Sequence, residues 1–293
     1  MKYYNEIKKQ IINNEITKRV KDYSKNKSDL DTYYKVGKLL SKAGKHYGEG
    51  IIKEYSNKLT KELGKGYTTT NLKLMRQFYY YTKSHTVCDQ LTWSHYRTIL
   101  TLKNNDEIDY LISLCITQSL SVRQLISKIK NKEYERLNNK TKLKLITKEE
   151  NKVSDFIKNP ILIKNSYNYK EISEKILQKL ILEDIPSFLD ELGTGFTFIR
   201  NEYKIKIGDR YNYIDLLLFN IEYNCYIVVE LKVTELRKEY IGQIEVYMNY
   251  IDNNLRKITQ DKTIGIIIVK KDSHFIMEYC SDNRIISREY SLI

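Results

Sequence analysis

Residues 227–233 read Ile-Val-Val-Glu-Leu-Lys-Val, and residues 213–219 read Tyr-Ile-Asp-Leu-Leu-Leu-Phe. Both stretches are apolar enough to form buried strands, yet they contain Asp215, Glu230 and Lys232. An ionised group inside a sheet must be paired, neutralised or bound to a metal, because removing it from water costs on the order of several kcal/mol. We therefore expect these three side chains to carry a function.

The spacing of these charges predicts a metal site. Alternate side chains of a strand share a face, so Glu230 and Lys232 point the same way. If the two strands are antiparallel neighbours, Asp215 converges on them, and the main-chain carbonyl of Leu231 adds a further oxygen. Such hard oxygen ligands suit Mg²⁺ or Mn²⁺ and phosphodiester hydrolysis, with Lys232 facing the phosphate. The alternative is a buried Glu–Lys ion pair with Asp215 at a strand end.

The pattern around these stretches predicts a mixed sheet flanked by helices, within an α+β protein overall. An amphipathic helix that Pro186 bends or divides is followed by three strands, a helix, a strand and a less regular C-terminal pair of elements. We place the first helix at 172–192, the strands at 196–207, 210–220 and 223–234, the second helix at 238–252 and the next strand at 263–269.

The helix after the charged strand carries Gln243 and Tyr247, which lie one turn apart on one face. These two side chains could contact a phosphate or support Lys232. A plain hydrogen bond between helix and sheet explains them equally well, so both interpretations stay open here.

Charge divides the chain into two parts. Residues 1–150 carry 30 Lys and Arg against 16 Asp and Glu, which gives +14, whereas residues 151–293 carry 20 against 21, which gives −1. A basic half beside a nearly neutral half with buried acids is typical of a phosphate-binding module joined to a catalytic one. We expect a basic helical domain over 1–145 and a catalytic domain over 146–293, with a linker near 138–142. Solvated faces of a lysine-rich protein are the plainer explanation of the charge.

In the first half of the chain, apolar residues recur at helical spacing and no proline occurs before Pro160. This pattern predicts helices. A glycine-bearing turn at 64–70 leads into one helix, capped by Thr70 or Asn71, and Ser94 is expected to cap the next. This order is compatible with a helix-turn-helix that reads nucleic acid, or with an ordinary helical hairpin. The candidate nucleic-acid contacts are Lys73, Arg76, Gln77, Arg97 and Arg123, with Tyr247 from the second half.

The aromatic side chains of the first half allow two interpretations. Residues 78–81 read Phe-Tyr-Tyr-Tyr, and Trp93 is the single tryptophan. They could stack on bases, although such residues more often form a core. The basic helix that begins near Ser121 is expected to continue to about Leu137.

Several classes of protein are disfavoured. The cysteines, Cys88 among them, form no Cys-x-x-Cys pair, and the histidines, His85 among them, show no metal-ligand spacing. His95 is expected to be a core or capping group. No apolar run approaches the length of a signal peptide or a membrane span, so we expect a cytoplasmic protein without a membrane partner.

Several motifs together resemble those of the YhcG-like family, in which a helical, winged-helix-like domain precedes a PD-(D/E)XK nuclease domain. The matching residues occur in the order of that family and extend from about Tyr47 to Tyr290. In the first half they are 47–48, 71–72, 75–79, 90–96 and 134–137, and in the second half 191–196, 214–217, 229–232, 242–243 and 247.

The resemblance implies a metal-dependent DNA endonuclease, with Asp215, Glu230 and Lys232 in the catalytic positions and Gln243 in a supporting one. It implies DNA as the partner, duplex or branched, and cutting of both strands would favour a homodimer. The alternatives are a non-catalytic DNA-binding protein and a protein-interaction module, each on a nuclease scaffold.

Three departures from the family pattern stand out: Ile214 replaces the proline of the motif, Arg-Asn-Glu at 200–202 replaces a Gly-Arg-Gln-like segment, and Gln178 stands near an expected glutamate. Glu174 or Glu183 could substitute for that glutamate.

Overall fold

The computed structural model describes residues 2–20, 25–48, 50–83, 90–147 and 149–293, so His85 and Cys88 lie outside the described residues. Two compact units follow one another along the chain, Met1–Tyr134 and Glu135–Ile293. We call them the N-terminal and the C-terminal unit. The boundary expected after residue 145 falls inside the C-terminal unit, within a helix. No helix in the described ranges is both long and apolar enough to span a bilayer.

Helices make up the regular structure of the N-terminal unit in its described part. No strand occurs there, so a strand-built wing is not seen among these residues. The helices are α1 Lys2–Val20, α2 Lys25–Tyr47, α3 Ile51–Leu63, α4 Thr69–Tyr81, α5 Trp93–Ile99, α6 Asn105–Gln118 and α7 Val122–Lys130.

Several aromatic residues of this unit pack in its core. Phe78 is fully buried and Tyr79 nearly so. The ring of Trp93 packs against Phe78 at 5.7 Å and against Tyr33 at 4.6 Å between centroids. The core interpretation is therefore confirmed for Phe78 and Tyr79, whereas Tyr80 remains 45% exposed.

The expected N-caps were wrong: Thr70 or Asn71 lies two or three residues past the observed cap Thr68, and Ser94 lies two residues past Thr92. The hydroxyl of Thr68 accepts the main-chain N–H of Asn71 at 3.2 Å, and Thr92 is the cap of α5. His95 completes the second cap, because its Nδ1 accepts the N–H of Thr92 and its Nε2 lies 2.9 Å from the carbonyl oxygen of Leu120. The expected capping role of His95 is confirmed. In both helices the cap is the threonine that ends the extended segment before the helix, Thr68 or Thr92. The residue nearest the apolar run is not the cap that the first N–H groups of the helix require.

Close packing of α2 on α4 depends on Gly37. A Cβ atom there would lie 2.1 Å from the main-chain oxygen of Met75, which cannot move as a side-chain tip could. We expect Gly37→Ala to destabilise the N-terminal unit by about 1–3 kcal/mol. Urea unfolding followed by the fluorescence of Trp93 measures this directly, because the single tryptophan lies in this unit.

The control for this change is Gly242→Ala, at a helical glycine whose Cβ would meet open space. Because Gly242 lies in the C-terminal unit, that variant should leave the Trp93 transition where it is, and circular dichroism should show a gain of up to about 1 kcal/mol from helix propensity alone. Equal unfolding midpoints for Gly37→Ala and the unchanged protein would contradict the packing argument.

A six-stranded mixed sheet forms the C-terminal unit, in the order β1-β6-β5-β4-β3-β2. The pairs β1–β6, β6–β5 and β5–β4 are parallel, whereas β4–β3 and β3–β2 are antiparallel. The predicted α+β class with a mixed sheet flanked by helices is confirmed. The elements are α8 Asn139–Thr147, β1 Ile161–Ile163, α9 Glu174–Glu183, α10 Ile185–Leu192, β2 Phe196–Ile207, β3 Arg210–Asn220, β4 Cys225–Leu231, α11 Lys238–Asn254, β5 Asp261–Val269, α12 His274–Glu278 and β6 Ile285–Leu292.

The sheet is buried between helices on both faces. One core cluster joins α9 and α10 to side chains of β3, β4 and β5 such as Leu216 and Val229. The other joins α11 to Leu217, Val228 and Ile267 from the same strands. This double cover explains why β3 and β4 are almost continuously apolar, and it makes their charged residues exceptional.

Most predicted elements of this unit are confirmed. The predicted helix over 172–192 is divided at Asp184, whose side chain caps α10 with Pro186 in its first turn. Two expectations about residues 121–142 were wrong: α7, which belongs to the N-terminal unit, ends at Lys130 and not near Leu137, and the polar stretch at 138–142 taken for a linker is the start of α8. Lysine and leucine are good helix formers, so polarity alone did not distinguish an exposed helix from a linker.

Candidate active site

Strand pairing brings Asp215 to Glu230. The register pairs Leu216 of β3 with Val229 of β4. The next positions along these antiparallel strands are Asp215 and Glu230, which therefore lie opposite one another. The Oδ2 atom of Asp215 accepts the main-chain N–H of Leu231 at 2.8 Å. The predicted antiparallel pairing and the predicted convergence of the two acids are thus seen in the structure.

Glu230 is the centre of a buried hydrogen-bond network. It is 2% exposed, and its Oε1 atom accepts Lys232 Nζ at 2.7 Å and Gln243 Nε2 at 2.9 Å. Gln243 also donates to the hydroxyl of Tyr247 at 3.0 Å. The Oε2 atom of Glu230 is buried and has no hydrogen-bond partner. Because buried polar atoms are nearly always satisfied, this oxygen marks a place where a further group belongs.

Burial sets the electrostatics of this site. It raises the pKa of Glu230 to about 7, with the charge of Asp215 adding to the effect and Lys232 opposing it. Burial also raises the pKa of Asp215, although the N–H of Leu231 and the charge of Lys232 act against it. For Lys232 burial favours the neutral amine, but its hydrogen bond and ion pair with Glu230 outweigh burial, so its pKa is raised. Two acids that resist ionisation beside a firmly charged lysine form a site that gains from a bound cation.

Helix α9 contributes two side chains to this site. Gln178 donates to the main-chain oxygen of Asp215 at 3.1 Å, and Glu174 lies 3.8 Å from Lys232 Nζ. Glu183, the other glutamate considered, pairs with Lys179 at 3.9 Å near the far end of α9. Glu174 is therefore the acid that α9 brings near the predicted site.

Sequence reasoning missed two residues here. Tyr240 of α11 holds its ring 5.2 Å from Lys232 Nζ, and its spacing of three and seven residues from Gln243 and Tyr247 on one helix face was the available signal. Glu202 stands between the registered pairs Asn201–Leu216 and Tyr203–Ile214 with φ of +46°, and its charge adds to the burial that raises the pKa of Asp215. Glutamate seldom adopts this left-handed conformation, so the sequence carried no signal for it.

Carboxylate oxygens of Asp215 and Glu230, with the main-chain oxygen of Leu231, are the ligand types that Mg²⁺ or Mn²⁺ prefers. The buried Glu230 Oε2 atom without a partner fits such an ion. Within the described residues, no group of three or more His, Cys, Asp or Glu side chains is arranged to hold a metal. Any ion here would accordingly depend on main-chain and water oxygens beside the two acids.

The other candidate contacts lie on helices of the N-terminal unit. Lys73 and Gln77 are exposed on α4, where Arg76 is half-buried. Arg97 of α5 is exposed, and it lines a cavity of about 570 Å³ together with the first turn of α4. Arg123 is exposed at the start of α7. Tyr247, the sixth candidate, is 5% exposed and bonded to Gln243, so it is a support for the buried network in this structure.

Comparison with protein families decides the membership. Residues 154–292 match the model of the YhcG PDDEXK nuclease domain, and residues 6–136 match that of the DUF1016 N-terminal domain. The chain belongs to the YhcG-like family. The recognition made from the sequence motifs is thereby confirmed, and the C-terminal unit of this YhcG-like protein is a PD-(D/E)XK nuclease domain.

The chain is also similar to one curated protein and, over part of its length, to two solved structures. The protein named "Putative nuclease YhcG" from Escherichia coli (strain K12) is 23% identical over 310 residues, which cover 89% of this chain and 82% of that protein. Among solved structures, a repair endonuclease from Pyrococcus abyssi is 18% identical with a TM-score of 0.30, and an EndoMS–dsDNA complex is 19% identical with a TM-score of 0.31. Both similarities cover 42% of this YhcG-like chain. They cover 48% of the other chain in each case, so this chain spans about half the length of those proteins.

Proposed function

We propose that this YhcG-like protein is a divalent-metal-dependent DNA endonuclease that hydrolyses phosphodiester bonds. The observation that carries the proposal is the Oε2 atom of Glu230, buried without a hydrogen-bond partner at the place where Asp215 meets Lys232. A structural Glu–Lys ion pair needs only the oxygen that Lys232 already occupies. The second oxygen is left for a cation.

Asp215, Glu230 and the main-chain oxygen of Leu231 would hold Mg²⁺ or Mn²⁺. When bound, the ion supplies a water of lowered pKa and stabilises negative charge on the phosphate. Glu230 Oε2, on a carboxyl whose pKa is raised by burial and by the charge of Asp215, would gain its missing partner there.

The protein's own side chains have distinct roles in this proposal. Lys232 supplies a fixed positive charge toward the phosphate, held in place by Glu230 and by the face of Tyr240. Gln243 is a positioning residue, because it fixes Glu230 and is itself held by Tyr247. The 8% exposure of Lys232 keeps competing water away from this charge and so strengthens its field.

DNA, duplex or branched, is the proposed partner. The basic N-terminal unit is the proposed DNA-binding module. Lys73, Arg76, Gln77, Arg97 and Arg123 are the proposed contacts on its helices. Most of the affinity should come from phosphate contacts, so it should fall steeply as salt is added. A homodimer is proposed for cutting both strands of a duplex.

Direct measurement of metal binding tests the site without depending on turnover. Titration calorimetry with Mn²⁺ should show binding to the unchanged protein, and Asp215→Asn should weaken it by about tenfold or more because one anionic ligand is lost. The exposed Asp209→Asn, six residues away in the β2–β3 turn, is the matched control and should bind as the unchanged protein does.

Plasmid nicking completes the test. Supercoiled DNA should be cut in Mg²⁺ or Mn²⁺ and left intact in excess EDTA. Cutting that persists in EDTA, or equal Mn²⁺ affinity of Asp215→Asn and the unchanged protein, would reject the proposal.

A further inference from the structure

The β2–β3 hairpin extends past the rest of the sheet. The ladder between β3 and β4 ends at Leu216, whereas that between β2 and β3 continues from the pair Tyr203–Ile214 to the pair Ile207–Arg210. Residues 203–214 thus form a two-stranded arm with Asp215 at its base. A two-stranded hairpin is marginally stable alone, so its inner face must be anchored.

The inner face of the arm is anchored in the core. Ile205 and Ile214 are 1% and 0% exposed and pack in one cluster with Tyr247 and Met248 of α11. Tyr203 and Ile207 add partly buried contacts. The arm is therefore tied to the helix that also supplies Gln243, and its direction is fixed relative to the candidate active site.

The outer face of the arm carries two lysines and two tyrosines. Lys204 stands opposite Tyr213 and Lys206 opposite Tyr211. All four are exposed, with Tyr211 at 57% and Tyr213 at 52%. Lys204 Nζ lies 3.7 Å from the centroid of the Tyr211 ring, a cation–π contact between the two strands on this face. We call these four side chains the Lys/Tyr face.

Charge and chemistry indicate what this face binds. From Tyr203 to Tyr213 the arm has the basic residues Lys204, Lys206 and Arg210 and a single acid, Asp209, in the turn. Lysines spaced two residues apart suit successive phosphates, and exposed tyrosines offer stacking surfaces to bases. A matched duplex keeps its base faces stacked on one another, so the rings can contact only nucleotides that are unpaired.

We propose that the Lys/Tyr face binds the unpaired nucleotides of a DNA strand next to the position of cleavage. Tyr213 precedes Asp215 by two residues, about 7 Å along the strand. A strand stacked on the rings is therefore delivered to the acids at the base of the arm. The preferred substrates are then single strands and duplexes with unpaired segments. The inference rests on the proposed function only for the placement of cleavage at Asp215.

Binding in EDTA tests this face independently of metal and of chemistry. Fluorescence anisotropy compares a labelled oligothymidine with a blunt, fully matched duplex. Replacing both rings, Tyr211→Ala with Tyr213→Ala, should weaken binding of the single strand by about tenfold or more and change duplex binding by less than about twofold. The pair Tyr211→Phe with Tyr213→Phe keeps the stacking surface and should restore most of the affinity.

Tyr167→Ala is the matched control, because Tyr167 is also 57% exposed with a lysine, Lys179, 5.1 Å from its ring centroid. It should leave both affinities unchanged. An equal loss for single strand and duplex, or no loss, overturns the inference. Selective binding without metal-dependent cutting would reject the proposed function and leave the face supported, so the two failures are distinguishable.

Discussion

Lys232→Met should reduce DNA cleavage by about 10²–10³-fold, the typical effect of removing one fixed charge from a developing negative charge. The lysine is nearly buried, and its ammonium is bonded to Glu230 at 2.7 Å. Methionine fills much the same volume without the charge. The size of the effect follows from the low exposure, since solvent does not replace the lost cation.

The variant has a second effect, which pH separates from the first. Because Lys232 lowers the pKa of Glu230 and of Asp215, its loss should raise both pKa values and weaken metal binding near pH 7. At about pH 9 the acids should ionise again, and Mn²⁺ affinity should recover. Cleavage should not recover, because the charge that faces the phosphate is still missing.

Calorimetry and initial rates at both pH values check this expectation. Lys179→Met is the matched control, a lysine of α9 whose side chain is 55% exposed, and it should cut normally. A Lys232→Met rate within a few-fold of the unchanged protein at pH 9 would show that the lysine acts only on the pKa of its neighbours.

The strands that form this site were predictable because their signals are local. A run of leucine and aromatic residues defines β3, a run with β-branched residues defines β4, and Gly208, at φ of +58°, allows the tight turn that joins β2 to β3. The hairpin bounds expected from the sequence agree with the structure at both ends. Antiparallel pairing alone predicts that Asp215 converges on Glu230, because side chains directly opposite one another share a face of the sheet.

Features that depend on distant parts of the chain were not predictable. Strand β1 has three residues and pairs with β6 at the other end of the domain, so no local pattern marks it. Arg136 forms a buried, two-pronged ion pair with Glu191, which also accepts the N–H of Leu162. Both segments carry motifs of the YhcG-like family, but no local pattern indicates that these two side chains pair with each other.

Glu230→Gln should stabilise the metal-free protein at alkaline pH, although the same change removes a candidate metal ligand. The pKa of Glu230 is raised from 4.5 to about 7, so the folded state holds this proton more tightly than the unfolded state does. Below about pH 4.5 the carboxyl is neutral in both states and costs nothing. As pH rises through 4.5 toward 7, the unfolded state ionises first, and the stability of the unchanged protein falls.

The magnitude follows from the size of the shift. About 2.5 pKa units correspond to roughly 3 kcal/mol, which is fully developed above pH 7. Glutamine does not ionise, so the variant lacks the cost of a buried carboxylate. Its amide oxygen can still accept the hydrogen bonds of Lys232 and Gln243. The difference in free energy of unfolding between variant and unchanged protein should therefore grow by up to about 3 kcal/mol between pH 5 and pH 8.

Differential scanning calorimetry in EDTA at several pH values measures this difference, with Trp93 fluorescence identifying the transition of the N-terminal unit. Glu235→Gln, at a glutamate whose side chain is 57% exposed, should give a difference that stays flat within about 0.5 kcal/mol. Added Mn²⁺ should reverse the order at pH 8, because it stabilises only the protein that retains the ligand. A Glu230→Gln difference that is flat, or that shrinks as pH rises, would mean that the buried carboxylate is already satisfied without a metal.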